Sequence, residues 1–291
     1  MTDRSFGYVL DTARPIRSAF PLLARVSRTK ASVDLRDWTP PVQDQGSTSS
    51  CTGQAAKVLF DIALAQQSSP VRSSALGLYT LGRYAMYSAG EPLQDNGAHF
   101  RALFDQAMNF GVLAESDCPW SPSHINDDPG FDALVNGQNS LLRASNWYTV
   151  DSDGDARHQE VRAALSAGHG VGGAWGVKKG FTRCASAFYD PGADGSEFAG
   201  NHAMALIGYD EDRYLLQNSW GTEFGLDGYV WVPLRFVEEA FDLSVVTLLS
   251  VDTAHVLRYD VRHDRDPDLL HRRPRLRVPP PEPPFRGLPG A

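Results

Sequence analysis

Apolar residues recur at three- and four-residue spacing in Ala55, Ala56, Leu59, Phe60, Ala63 and Leu64, the period of a buried helical stripe. Ser49 or Ser50 stands ready to cap this helix and Pro70 closes the segment, so Cys51 is expected in its first turn. Two further helices are predicted over Ser74 to Ser88 and Phe100 to Phe110, the latter ending at Gly111, and another over 158–167. Upstream, Val33-Asp34-Leu35-Arg36 alternates like a short strand, and Asp37 to Gln45, with Pro40-Pro41, reads as extended or turning.

The second half changes character. Short apolar or aromatic runs, Val171 to Val177, Ala203 to Tyr209, Tyr214 to Gln217, Gly228 to Val232 and Ser244 to Ser250, are separated by Gly, Asp and Pro, the pattern of antiparallel strands in a twisted sheet or partial barrel. The fold class is therefore α+β, with a helical N-terminal lobe and an antiparallel, β-barrel-like C-terminal lobe. A cleft between two such lobes is a natural place for a site.

The main domain is expected over 33–257. Residues 1–32 form a polar, basic arm with Arg4, Arg14, Arg17, Arg25, Arg28 and Lys30, and 258–291 a Pro/Arg-rich tail too poor in apolar residues to pack. With 291 residues, 42% of them hydrophobic, a sizeable core is available. A formal charge of -8 argues against nucleic acid and anionic membranes as partners. The chain has no long apolar stretch of the kind a signal peptide or a membrane span needs, so a cytoplasmic protein is expected. Three cysteines, Cys51, Cys118 and Cys184, are no disulfide framework. In a reducing compartment Cys51 stays a free thiol.

The chemistry is carried by few residues. Gln45 precedes Cys51 by six positions, and far downstream come Asn201-His202-Ala203 and Gln217-Asn218-Ser219-Trp220-Gly221. They supply a thiol, a base, an amide to orient the base and an amide to hold an oxyanion, the parts of an acyl-transferring cysteine enzyme. A helix N-terminus and a neighbouring imidazolium from His202 would both lower the Cys51 pKa. Asn218 would fix the His202 tautomer, and Trp220 would cover that bond. Gln45 and the Cys51 N–H would face the oxyanion.

These residues, in this order, resemble the papain-like (C1 family) cysteine peptidases. That family places His and Asn roughly 130–150 residues after the nucleophile; here the separations are 151 (202 − 51) and 167 (218 − 51). Gln45 to Thr52, 201–203 and 218–221 are similar to its three site motifs. Asn96-Gly97-Ala98 resembles its substrate-pairing Asn-Gly-Gly strip, Glu115 to Trp120 its Glu-Glu-Ser-Tyr-Pro-Tyr, and Gly225 to Tyr229 its Gly-Glu-Asn-Gly-Tyr. Cys51-Thr52 and the stretch from Val33 to Gly46 look most like bacterial members. The resemblance implies a papain-like two-lobe fold, peptide or protein substrates, and no cofactor or metal. It also implies a substrate cleft with Gly97, Ala98, Phe100, Ala174, Ala203, Trp220 and Phe224. Phe100, Ala174 and Ala203 would make its second subsite apolar.

The chain departs from the family in places. Thr48 and Asp95 stand where two half-cystines are usual, Ser49 replaces a Gly, Thr52 and Phe224 each replace a Trp, and Ala98 replaces a Gly. The long inhibitory propeptide of the family is not expected ahead of the domain. Residues 1–32 are either a short inhibitory segment that blocks the cleft or a plain extension packed on a lobe. Cys118 and Cys184 lack metal-ligand spacing with any His, and Asp151 to Asp155 is a turn rather than a calcium loop, since Arg162 stands where the bidentate Glu belongs. Gly168 to Gly173 lacks the Lys-Ser/Thr of a phosphate loop.

The function expected is hydrolysis of peptide bonds by a cysteine-type endopeptidase through a thioester. Cys51 would be the nucleophile, His202 the acid and base, Asn218 its orienter and Gln45 the oxyanion donor. A transpeptidase or amide ligase using the same site, or a non-catalytic papain-like binding protein, are the alternatives.

Overall fold

The computed structural model describes residues 4–12, 29–86, 92–127 and 144–248. Arm residues 13–28, the helix end expected at Ser88, the strand end expected at Ser250 and the tail from 258 lie outside these.

Three helices come first: α1 (Cys51–Gln66), α2 (Ala75–Met86) and α3 (Phe100–Phe110). Helix α1 begins at Cys51, as the apolar spacing predicts. The expected serine cap is not made: Ser50 forms no side-chain cap, and its Oγ pairs instead with Thr48 Oγ1 at 2.8 Å. First-turn N–H groups thus remain available to whatever faces the helix end. Helix α3 has a cap the sequence reading did not foresee, His99 Nδ1 accepting from the Ala102 N–H at 3.0 Å. A fourth helix, α4 (Gly154–Ser166), starts before the expected 158–167. The acidic stretch leading into it is a helix entry, where Asp153 pairs with Arg157 one turn on at 3.0 Å.

The strands are β1 (Val33–Asp34), β2 (Ala144–Thr149), β3 (Val171–Lys178), β4 (Phe198–Tyr209), β5 (Arg213–Gln217), β6 (Tyr229–Pro233) and β7 (Asp242–Leu248). They form one antiparallel sheet in the order β2-β7-β3-β4-β5-β6, with β1 on β4. The expected antiparallel sheet is present, but it is open and not closed into a barrel: β2 and β6 end the order. Strand β2 had been missed, because its Ser-Asn-Trp-Tyr-Thr stretch carries few aliphatic residues. Strand β4 starts ahead of Ala203, at Phe198, since Phe198 is exposed, the next three residues are only half-buried, and the stretch shows no apolar pattern. A short helix α5 (Leu234–Glu238) precedes β7.

Helix α1 joins the two halves. Every residue from Cys51 to Leu64 is buried, because α2 and α3 pack on it from one side and β3, β4 and β7 from the other. A helix enclosed in this way must also satisfy its polar groups. Lys57 Nζ lies 3.0 Å from Asp61 Oδ2 and 3.5 Å from Glu115 Oε2. Asp61 Oδ1 accepts from the Ser73 N–H at 2.7 Å and from its hydroxyl at 2.8 Å. The rigid, double-sided burial of α1 holds its N-terminus, and Cys51 with it, against β4.

Candidate active site

Cys51 opens α1 and is fully buried. The backbone N–H groups of Ala203, Gly7 and Thr52 face its sulfur. Ala203 follows His202 on β4, so the start of the helix meets the middle of the strand. His202 Nε2 lies 2.8 Å from Asn218 Oδ1, just past the end of β5. An amide oxygen accepts only, so Nε2 carries the proton and Nδ1 keeps its lone pair. That Nδ1 is buried without a hydrogen-bond partner. Asn218 Oδ1 is itself held by the Ser219 N–H at 2.8 Å. Trp220 stacks on the imidazole with ring centroids 4.4 Å apart and an interplanar angle of 21°, and so shields the His202–Asn218 bond from water.

Burial governs the protonation of this site. It raises the Cys51 pKa, against the opposing pull of the Ala203, Gly7 and Thr52 groups. It pushes His202 down to about 4; the Asn218 bond works against that shift and the positive Arg4 works with it. Dehydration disfavours both charges, so burial pushes the thiol and the imidazole towards their neutral forms.

Gln45 is fixed from two sides. Its N–H donates to the Ser219 carbonyl at 2.8 Å, and its Oε1 accepts from the Ser219 hydroxyl at 2.7 Å. The side-chain amide then turns Nε2 towards the Thr48 carbonyl at 2.8 Å and the Ser5 carbonyl at 3.4 Å.

The N-terminal arm crosses this site. Arg4 pairs with Asp44 at 2.6 Å and donates to the Trp220 carbonyl at 3.0 Å. Phe6 stands edge-on to both His202 and Trp220. Gly7 reaches the sulfur, and a Cβ there would overlap the Ser49 carbonyl, so only glycine passes this point. Ala98 donates to the Gly7 carbonyl at 2.9 Å and accepts from the Val9 N–H at 3.0 Å, while the Tyr8 N–H donates to the Asn201 carbonyl at 3.3 Å. Tyr8 thereby forms a parallel bridge with Ala98. Its ring packs beside Phe100 and Phe241, with centroids 5.8 and 5.4 Å away, and its hydroxyl donates to Asp242 Oδ2. Beyond it, Asp11 accepts from Arg101 at 2.9 Å.

The structure brings Cys51, His202, Asn218 and Gln45 together, with Gly97 and Ala98 alongside. Gly97, at φ +86°, faces the Gly7 carbonyl so closely that a side chain would strike it. Ala174 pairs with Ala203 on one side and Asp242 on the other, and Phe100 contacts Tyr8. The surroundings of that tyrosine are thus not wholly apolar. Phe224 is buried edge-on to Trp220 and Phe181 and buttresses Trp220 from behind. In place of a disulfide, the Asp95 carboxylate accepts from the Ser49 N–H at 2.9 Å and from the Tyr79 hydroxyl at 2.8 Å, while all three cysteines are free. Sequence reasoning missed Ser219, Asp242 and the contacts of the arm. The run Phe6-Gly7-Tyr8-Val9-Leu10, apolar within a basic arm, was the available signal for the last.

A buried thiol at a helix N-terminus, facing an amide-anchored imidazole across a helix–sheet junction, is the working part of a cysteine hydrolase. The model of the papain family cysteine proteases matches residues 29–238, and the chain belongs to that family; it is a cysteine peptidase. A peptidase C1-like protein of Acanthamoeba polyphaga mimivirus is 24% identical over 237 residues, 78% of this chain and 75% of the relative. Procathepsin L of Felis catus is 22% identical over 217 residues, 69% of this chain and 59% of the relative. Among solved structures, xylellain, a cysteine protease from Xylella fastidiosa, superposes with a TM-score of 0.70 at 21% identity, covering 86% of this chain and 99% of that one. Digestive procathepsin L 3 of Tenebrio molitor does so at 0.60 and 22%, covering 84% and 74%.

Proposed function

We propose that this peptidase cuts within polypeptides, with Cys51, His202, Asn218 and Gln45 as its machinery, and that residues 4–11 hold it inactive. The observation that carries the catalytic assignment is the 2.8 Å contact of His202 Nε2 with Asn218 Oδ1, which leaves Nδ1 as a base beside the helix that bears the thiol. His202 takes the Cys51 proton as the sulfur attacks the substrate carbonyl. The oxyanion is met by Gln45 Nε2 and the Cys51 N–H. His202 then protonates the departing amine as the C–N bond breaks and a thioester remains. Water, deprotonated by His202, attacks the thioester, releasing the carboxylate and restoring the thiol.

The inhibitory reading of the arm rests on its direction. Tyr8 runs parallel to Ala98, and the Ser5 carbonyl, not a scissile one, occupies the Gln45 amide. The arm thus fills the cleft without presenting a bond to the sulfur. Several structural neighbours are proforms, such as the ragweed pollen protease Amb a 11.

The test is cleavage of a proteome-derived peptide library by the purified chain. Cys51→Ala is expected to abolish all cuts, and Asn218→Ala to cost less than His202→Ala because it orients without transferring protons. Retained cleavage in Cys51→Ala, or the reverse order, would refute the assignment.

A further inference from the structure

Beside Asn218 lies a cavity of about 10 Å³, bordered by Gln43, Gln54, Met204, Gln217 and Asn218 among others. Gln54 sits one turn into α1, Gln217 ends β5, and Gln43 lies in the loop ahead of α1. Gln54, Gln217 and Asn218 are each at most 4% exposed. Each nonetheless keeps one polar atom buried without a hydrogen-bond partner: Gln54 Nε2, Gln217 Oε1 and Asn218 Nδ2. Gln43 Oε1 makes a fourth. Bonds left unmade in this way are costly, so native folds complete them with protein or with water.

The neighbouring groups are already committed. Gln217 Nε2 donates to the Pro40 carbonyl at 3.1 Å. Asn218 Oδ1 takes His202 Nε2 and the Ser219 N–H, both at 2.8 Å. Lys57 also borders the cavity, with its ammonium turned to Asp61 and Glu115. What remains is two donors, from Gln54 and Asn218, and two acceptors, from Gln43 and Gln217, none bonded to another. A water molecule accepts two hydrogen bonds and donates two, and a space of about 10 Å³ suits a single one. Two N–H groups disfavour a cation there, and two amide oxygens an anion.

We propose that one buried water in this cavity ties Gln54 and Gln217 to Asn218 Nδ2, and that these two glutamines are positioning residues for the His202–Asn218 pair. Ser219 holds only the oxygen end of the Asn218 amide. The water takes the nitrogen end, so the amide plane is fixed at both. The Nε2–H tautomer of His202, and with it the Nδ1 lone pair that takes the thiol proton, depends on that oxygen facing the ring. The inference rests on the catalytic assignment above and adds the parts that hold Asn218 in place.

The experiment begins with a crystal structure of the full chain that resolves ordered water, a readout that needs no variant. One water is expected within hydrogen-bond distance of Asn218 Nδ2, Gln54 and Gln217. A dry cavity, or amides bonded directly to one another, would overturn the proposal. Gln54→Met and Gln217→Met, which keep side-chain length and remove the amide, are then compared with their double variant. The ring-nitrogen NMR shifts of His202 give its tautomer without substrate. A single Nε2–H form is expected in the parent and a mixture with the Nδ1–H form in each variant. For kinetics on one peptide, Gly7→Ala is added to every chain to uncover the cleft. Each single variant is expected to lower kcat roughly tenfold with KM within about twofold of the parent. The double variant should be no slower than the singles by more than about twofold, because both act through one water, whereas independent packing losses would multiply to about a hundredfold. Unchanged tautomers, an unchanged kcat or multiplied losses would overturn the proposal. If the parent cuts no peptide, the catalytic assignment fails, and the water together with the ring tautomer still decides the cavity.

Discussion

The Ser219 hydroxyl donates to Gln45 Oε1 at 2.7 Å, which fixes which end of the Gln45 amide faces the cleft. With the oxygen engaged, Nε2 is the group presented to an incoming carbonyl. Ser219→Ala is expected to lower kcat about tenfold with little change in KM, and Gln45→Ala to lower it by roughly a hundredfold, the loss typical for an oxyanion donor. Steady-state kinetics on one peptide decides this; a Ser219→Ala enzyme with unaltered kcat would mean that Gln45 is oriented by other means.

Gly7 is the narrowest point of the arm. A Cβ there would overlap the Ser49 carbonyl, so Gly7→Ala is expected to lift residues 5–8 from the cleft without touching the domain beneath. Cys51 alkylation by iodoacetamide at neutral pH should then run at least about tenfold faster, since the sulfur regains access and its thiolate regains water. Equal rates in the two proteins would show that the arm does not limit access.

Burial of His202 makes the covered form sensitive to acid. Its pKa of about 4 lies below the ordinary 6.5, so between these values the unfolded chain binds a proton that the native chain excludes. The contribution to stability is full above about pH 6.5 and is lost as pH falls towards 4; integrated, it amounts to roughly 3 kcal/mol. Urea midpoints measured from pH 7 to 4.5 are expected to fall, and to fall less in His202→Gln. Parallel curves for the two proteins would remove His202 as the cause.

The Lys57–Asp61 pair, 3.0 Å apart inside α1, is the costliest contact to halve. Asp61→Ala leaves the buried Lys57 ammonium with only the Ser73 carbonyl and the more distant Glu115 and strands two Ser73 donors, and a loss of about 3 kcal/mol in unfolding free energy is expected. Replacing both partners with apolar residues should cost less. Chemical denaturation of the single and double variants gives the comparison, and a single variant as stable as the parent would show that Glu115 and the Ser73 carbonyl suffice for Lys57.

Much of this molecule is legible in its residues. The spacing from Ala55 to Leu64 encodes α1 and its start at Cys51, and the glycine-punctuated apolar runs encode most of the sheet. Chemistry-bearing residue types in a fixed order point to Cys51, His202, Asn218 and Gln45, because few other reactions use that set. What failed to show was whatever depends on partners distant in the chain. Strand β2 is held by its pairing with β7 more than by its own composition. One miss was local instead: the serine cap of α1 gave way to a bond between Thr48 and Ser50, two residues apart.

The amino-acid order alone therefore determined the kinds of element, their succession and the reactive groups, since local periodicity and intrinsic side-chain chemistry need no neighbours. Only the tertiary structure decided that the sheet stays open, that Ser219 orients Gln45, that the Tyr8 hydroxyl meets Asp242, and that burial pushes Cys51 and His202 towards their neutral forms. Each of these is set by which groups meet across long stretches of chain and by the water they exclude, and neither quantity is written in any local stretch of sequence.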